Sequence, residues 1–481
     1  MQNKNNHNQK GQLTIAVLLF GTVAIVILAG LIVWVDLSLR MAYRSIQRDS
    51  AFRVAEAGIE YYRWHLAHAP DDFEDGTGQP GPYAHNFFDK SGNKIGEFKL
   101  EITPPSVGST VVTVRSIGTV EGVSGIEKTI EVKFAKPSFA KFAAVLNDAV
   151  RFGEGTEVFG QIHSNGGIRF DGIAHNIVTS AVASYNDPDH SGNIEFGVHT
   201  HVAPIDPSPP NSMPNRPDVF MAGRQFPVPA IDFSGITTSL ADIKLGAQTA
   251  GRYFGPTNQK GYHIVFRTND TFDIYRVTSI TSPPNGCISV LGQKNWGTWS
   301  IQSQQLLGNY SIPQNGLIFS EDNVWVDGQI DTARAIIASG VFPENSAKYT
   351  NIIINKDLLY SNYDGRDSIG LMAQGEILVG MMSNDILRID AALIAQNGWV
   401  GRQYYRAPSG NQQRCGPYHI RNTITIYGMI GSYQRYGFAY SDGTGYQNRN
   451  IIYDSNLMYA PPPSFPLTSD YYEQIFWNEL K

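Results

Sequence analysis

Hydrophobic positions along the chain fall into three successive textures, and each predicts a different kind of element. The first is continuous. Leu13 to Val35 is a run of 23 residues without a charge, which as a helix measures about 34 Å and exceeds the roughly 30 Å of a bilayer core. Beyond it the apolar positions become periodic: Ala55, Ile59, Tyr62 and Leu66 recur at helical spacing, and no proline intervenes before Pro70. The pattern predicts one unbroken helix from Gln12 to His68, about 85 Å long. Its first part is a membrane span over 13–35 and its second an amphipathic stalk to about 68. A cleaved secretory signal would have a shorter apolar core. Arg40, Arg44 and Arg48 form a second stripe, read either as a solvated face or as a contact with acidic groups on neighbouring subunits. Gly58 inside the helix costs about 1 kcal/mol relative to alanine, so a close contact is expected there.

The second texture alternates. "DDFEDGTGQPGP" (71–82) ends the helix with turn residues. The runs between about 94 and 135 then place Val112, Val114 and Ser116 opposite Thr113, Arg115 and Ile117, the pattern of an antiparallel sheet with one covered face. The stalk face of Ile59, Tyr62 and Leu66 is expected to pack on it.

The third texture, from about 138 to 460, consists of short apolar groups punctuated by glycine. Apolar-x-Gly-x-apolar occurs at Val158–Ile162, Val326–Ile330, Leu378–Met382 and Ile426–Ile430. A companion pattern, apolar-x-x-polar-Gly, begins at Ile162, Ile336, Leu371 and Ile394. Short strands turning at glycine predict a β-solenoid of stacked parallel coils, with an ordinary β-sandwich as the alternative. Residues from about 186 to 310 break the pattern and read as an insertion lying against the stack. Within it, eight of the residues from Pro204 to Pro229 are proline, a composition suited to an extended connection. A short helix before Gly251, placed as its C-cap, and a hairpin turning at Asn269-Asp270 follow. Residues 461–481, with "PPPSFP" ahead of aromatic residues, are expected to fold back as a cap. The fold class is α+β and mostly β.

Composition narrows the function. The 37 basic and 43 acidic residues give a net charge of −6, without the basic patch that nucleic-acid binding requires. The two cysteines, Cys287 and Cys415, are too few and too far apart for a zinc site. Either they pair in a disulfide, as an exported domain would permit, or they are two buried thiols.

Candidate chemistry is sparse. In "DPDHSGNIEFGVHTH" (187–201), Asp187, Asp189, Ser191 and Glu195 match part of a calcium loop, but position twelve is Val198, not the bidentate glutamate. His190, His199 and His201 of the same stretch could take a transition metal. A solvated polar loop is the plainer reading, and no metal or other cofactor is expected. His163 has no neighbouring acid to complete a triad and reads as a turn-ladder residue. Asp322, Asp327 and Asp331 could line a carbohydrate cleft, where paired carboxylates supply acid and base. Acids are also ordinary at solenoid turns. Neither GxSxG nor HExxH occurs, and a non-enzymatic protein is expected.

The polar leader ending in Lys10-Gly11, the long apolar helix and the stretch "AFRVAEAGIEYY" (51–62) together resemble the type IV pilin class, in particular the PilX-like minor pilins. The resemblance covers roughly residues 10–70. It implies a leader of residues 1–11, cut by a prepilin peptidase between Gly11 and Gln12, and a pilin-like module over 12–137. It also implies pilin subunits and the inner membrane as partners. The class usually has a glutamate at the fifth mature position, thought to pair with a neighbour's N-terminal amine; here that position is Ala16. The glycine-rich region with its "PPPSFP" tail looks like an extracellular family found behind such anchors. The implied arrangement is single-pass, with the N-terminus cytoplasmic and the large domain outside. A literal count of Arg40, Arg44, Arg48 and Arg53 against Lys4 and Lys10 points the other way. The expected function is a pilus assembly subunit displaying a β domain toward a surface polysaccharide or protein, with Trp325, Trp399, Tyr404 and Tyr405 as aromatic surface. The alternatives are a membrane-tethered carbohydrate-active enzyme and a permanently anchored surface protein.

Overall fold

The computed structural model describes residues 9–105, 109–190, 194–233, 235–458 and 460–480, with the side chains of 9–12 and 235–239 outside the described set. The chain divides into two compact units: one built from the N-terminal helix, the strands up to Phe134 and the residues from Gln474 onward, the other from Ala135–Glu473.

The first unit begins with helix α1, Gln9–His68. Its apolar N-terminal part is long enough to span a membrane by length and composition, and none of that stretch is buried in the protein. Ala16 lies on this exposed portion. Gly11 and Gln12 fall within the helical backbone, but their side chains are outside the described residues. From Ala51 onward one face is covered: Ala51, Val54, Ala55, Ile59, Tyr62 and Leu66 are buried, at the spacing of a helical stripe. The helix lies on an antiparallel sheet of β1 (Tyr83–Phe88), β2 (Lys94–Thr103), β3 (Val112–Val120) and β4 (Glu127–Ala135). Burial alternates as the sequence pattern requires, with Phe98, Leu100, Val112, Val114, Ile130 and Val132 turned inward.

Helix and sheet approach each other at glycines on both sides. A Cβ on Gly58 would strike the Phe98 ring at 2.8 Å and run into Ser116 Oγ, and one on Gly118 of β3 would run into the backbone of Ala51 and Ala55. The glycine expected to mark a close contact in the helix does so, and its partner on the sheet is a second glycine.

A fifth strand completes this sheet. Glu473–Leu480 pairs beside β4, and Trp477 meets Phe52 of α1 edge-on at 6.1 Å. The tail expected as a cap over 461–481 therefore has two fates. Phe465 joins a core of the large unit, whereas the last strand leaves it because the open edge of β4 offers unpaired backbone groups.

The large unit is built on parallel pairing. One ladder runs through Ile318, Ile337, Leu371, Leu393, Ile430, Ala144, Ile162 and Val178, each hydrogen-bonded in register with the next. A second passes through Leu358, Ile389, Ile426, Ile451, Val158 and Ala174. A third joins Val324, Ile352, Ile377 and Val400. All of these residues are buried. In the first and second ladders the order in space differs from the order in the chain, since residues 144–178 stack next to residues 420–453. The recurrent apolar-x-Gly-x-apolar pattern marks corners between ladders: Val158 and Ile426 belong to the second, Ile162 and Ile430 to the first. Gly160 and Gly428 between them have φ of 149° and 147°, conformations that side-chain-bearing residues rarely adopt.

Residues 186–310 do not lie against the stack as one insertion. Val198–His199 and Arg224–Gln225 extend the ladders beside residues 168–180. Arg252–Phe254 and Gly261–Arg267 extend them beside residues 318–328. Strand pairing therefore draws the segment into both ends of the stack, because ladder ends, like sheet edges, leave backbone groups unpaired. A helix, Gly235–Thr249, connects the two parts, with Leu240 and Ile243 buried against Leu317 and Phe319. Gly251 after it is not left-handed and serves instead as a close approach to the Leu317 carbonyl. The hairpin turns at Asp270, with Arg267 opposite Thr271. Cys287 and Cys415 are joined in a disulfide.

Candidate functional site

A cavity of about 920 Å³ opens in the large unit. Trp399, Tyr436 and Tyr440 supply aromatic surface, and Arg151, Glu154, Asp189, Lys294, Glu376 and Arg435 supply charge of both signs. Glu376 sits just before the strand Ile377–Val379; its carboxylate accepts the Trp399 indole N–H at 3.0 Å. Burial raises its pKa, and the Trp399 and Asn295 hydrogen bonds and the Lys294 charge oppose that rise. Tyr440 donates to the Arg402 carbonyl at 2.9 Å and accepts from Gln293 at 2.8 Å, so its ring is fixed. Asp189 forms an ion pair with Arg435. Fixed aromatic rings with hydrogen-bonding groups of both kinds around them suit a flat, hydroxyl-rich ligand.

The aromatic residues singled out in the sequence divide. Trp399 lines the cavity, and Tyr404 is half-buried and donates to Asp442 at 2.7 Å. Trp325 and Tyr405 are buried, with the Trp325 N–H held by the Trp299 carbonyl at 2.8 Å and the Tyr405 hydroxyl by the Gly297 carbonyl at 2.9 Å. These two are packing residues. No sequence signal separated the pairs, because all four are large aromatics near ladder strands.

The acids considered for a carbohydrate cleft are each occupied by a structural partner. Asp322 accepts from Thr257, Asp327 from His263 Nε2 at 2.9 Å and Asp331 from Asn362. His163 is buried between Thr179 and Asn165, and burial lowers its pKa. Asp390 and Asp454, which sequence reasoning passed over, are buried and have raised pKa values, mainly from desolvation. Tyr363 and Tyr427 donate to them at 2.7 and 3.2 Å.

Among the described residues, those considered for calcium do not converge. Asp189 turns to Arg435, and Glu195 to His190 Nδ1 at 2.9 Å and to Ser208; Ser191 lies outside the described residues. Asp187 turns instead toward His199 and His201. Its burial raises the carboxyl pKa, but His199, the Asp189 N–H and Arg169 outweigh that and bring it down to about 2. His201 is lowered by burial and by the Arg169 and His199 charges.

No protein-family profile matches the chain, and no curated protein does. Among solved structures it is similar to the crystal structure of the competence-associated pilin ComZ from Thermus thermophilus, at 12% identity and a TM-score of 0.29 over 90% of this chain and 97% of that one.

Proposed function

We propose that the chain is a non-enzymatic, pilin-like subunit of the PilX-like kind, anchored in the membrane before assembly and displaying a β-solenoid for surface interaction. The observation that carries this reading is the division of labour along α1. Its apolar end is wholly exposed, and its other end is sunk into a small antiparallel sheet, the arrangement that suits a subunit moving from a bilayer into a helical filament core. The three parallel ladders, turned at glycine corners, support the solenoid, and the aromatic, polar cavity supports a polysaccharide as its ligand. A prepilin peptidase is the processing partner, other pilin subunits the assembly partners, and the large domain is extracytoplasmic. Alanine at position 16 removes the attraction of a glutamate for a neighbour's amine without burying an unpaired charge. That favours few copies at a filament end.

Mass spectrometry of surface protein tests the processing step: the mature chain starts at Gln12, and Gly11→Ala retains Met1. A mature wild-type chain starting at Met1 refutes the reading. For the ligand, Trp399→Ala is expected to weaken binding of the full chain to polysaccharide-coated beads about tenfold, the scale of one stacked aromatic contact, with unchanged circular dichroism.

A second reading, cleavage of a polysaccharide, is favoured by Glu376, an acid with a raised pKa beside a tryptophan in a cleft. Release of reducing ends that disappears in Glu376→Gln would establish it against the first.

A further inference from the structure

At one end of the ladder stack, two polypeptide segments bring metal-ligating side chains together. Asp187 directly follows the first strand of a hairpin, Ser184–Asn186 paired with Ile194–Phe196. His199 belongs to the strand Val198–His199, which pairs in parallel with Ile168–Arg169. His201 follows two residues later, and extended backbone puts residues two apart on one face. The result is that Asp187, His199 and His201 present one ligand atom each within 4.8 Å of one another.

These atoms face one another without a hydrogen bond of normal geometry between them. The Nδ1 of His199 stands 3.3 Å from the Phe196 carbonyl, which only accepts, so Nδ1 is the donor there and Nε2 is the ring atom that faces the other two residues. That Nε2 faces Asp187 Oδ2 at 3.5 Å. Neither atom makes a hydrogen bond of normal geometry, and neither does His201 Nε2, although all three are buried. Two of the residues are enclosed as well, His199 at 0% and Asp187 at 2% exposure, and His201 is half-buried. Leaving three buried polar atoms together without hydrogen-bond partners costs free energy, which a cation between them would offset.

We propose that Asp187, His199 and His201 bind a divalent transition-metal ion of the zinc class. Two imidazoles and a carboxylate are a donor set zinc commonly takes, with a fourth position left for water or a further side chain. The Phe196 carbonyl supplies the outer contact that orients a ligating histidine. Two features of the surroundings bear on this. Arg169 Nη1 lies 3.7 Å from Asp187 Oδ2, a charge unfavourable to a cation, but its Nε is bonded to Asp171 at 2.8 Å, which offsets it. His190 and Glu195 stand beside His201 and are the nearest source of a fourth ligand. Bound there, the metal joins the hairpin to the ladder. It thereby fixes the turn that carries Asp189, the residue that pairs with Arg435 in the cavity.

The test uses the full chain in detergent, stripped with chelator and titrated with zinc and, separately, cobalt. The expected result is one equivalent bound, with the intense visible absorption of four-coordinate cobalt. His201→Gln is expected to weaken binding at least about tenfold, the scale seen when a ligand or its support is lost, while circular dichroism is retained. His199→Gln, more deeply buried, serves as the second variant. Absence of stoichiometric zinc and cobalt binding overturns the proposal, as does binding that is undiminished in both histidine variants. Calcium binding without cobalt binding also overturns it, in favour of an oxygen-donor loop.

Discussion

The two units solve the same problem, closing a β-rich core, in opposite ways. In the small unit β1 to β4 pair with their chain neighbours through hairpins. One face is covered by α1, so each strand alternates and can be read in the sequence. In the large unit parallel ladders join strands far apart in the chain, and strands such as Ser368–Ala373 are buried at every position, as strands covered on both faces are. Local pattern therefore identifies the small unit's strands one by one, but in the large unit it identifies only the corners.

The comparison can be broken most severely at the disulfide. Cys287 and Cys415 close a loop of 128 residues in the large unit, for which the chain-entropy relation gives about 4–5 kcal/mol. Replacing both by serine is expected to lower the large unit's unfolding midpoint in denaturant strongly and leave the small unit's transition where it is. Gly118→Val is the converse. Its side chain would meet helix backbone that cannot move aside, costing about 3 kcal/mol by overpacking. Limited proteolysis should then open the small unit and spare the large one. Equal sensitivity of both units to either change would show that they do not unfold separately.

A smaller effect tests the returning strand. Trp477→Ala removes the edge-on contact with Phe52 and apolar burial at the sheet edge, an expected loss of about 1–2 kcal/mol, read by thermal unfolding of the small unit. The smallest effect belongs to the cavity. Because burial raises the pKa of Glu376, its contribution is fully present below the pKa of an unfolded glutamate, about 4.3, and is lost as pH rises through the folded value. Glu376→Gln, which never ionises, is expected to flatten that decline. At neutral pH the variant should be slightly more stable than the wild type; an unchanged pH profile would show that Glu376 is not desolvated.

By itself the sequence determined what depends on neighbours along the chain. An uncharged run fixes a helix long and apolar enough to cross a bilayer, because length and polarity along the chain alone decide that. The stripe at Ala55, Ile59, Tyr62 and Leu66 fixes a buried face because helical geometry repeats. The glycines at 160 and 428 mark corners because only they tolerate that backbone. Tertiary structure decided what depends on partners distant in sequence. It placed residues 144–178 beside residues 420–453, split residues 186–310 between both ends of the stack, and returned the last strand to β4. It buried Trp325 and Tyr405 while leaving Trp399 at a cavity, and it turned Asp187 away from its calcium-loop neighbours toward two histidines. Parallel pairing imposes no sequence spacing between partners, and a side chain's polarity does not record which strand will cover it. Those choices are made only when the ladders assemble.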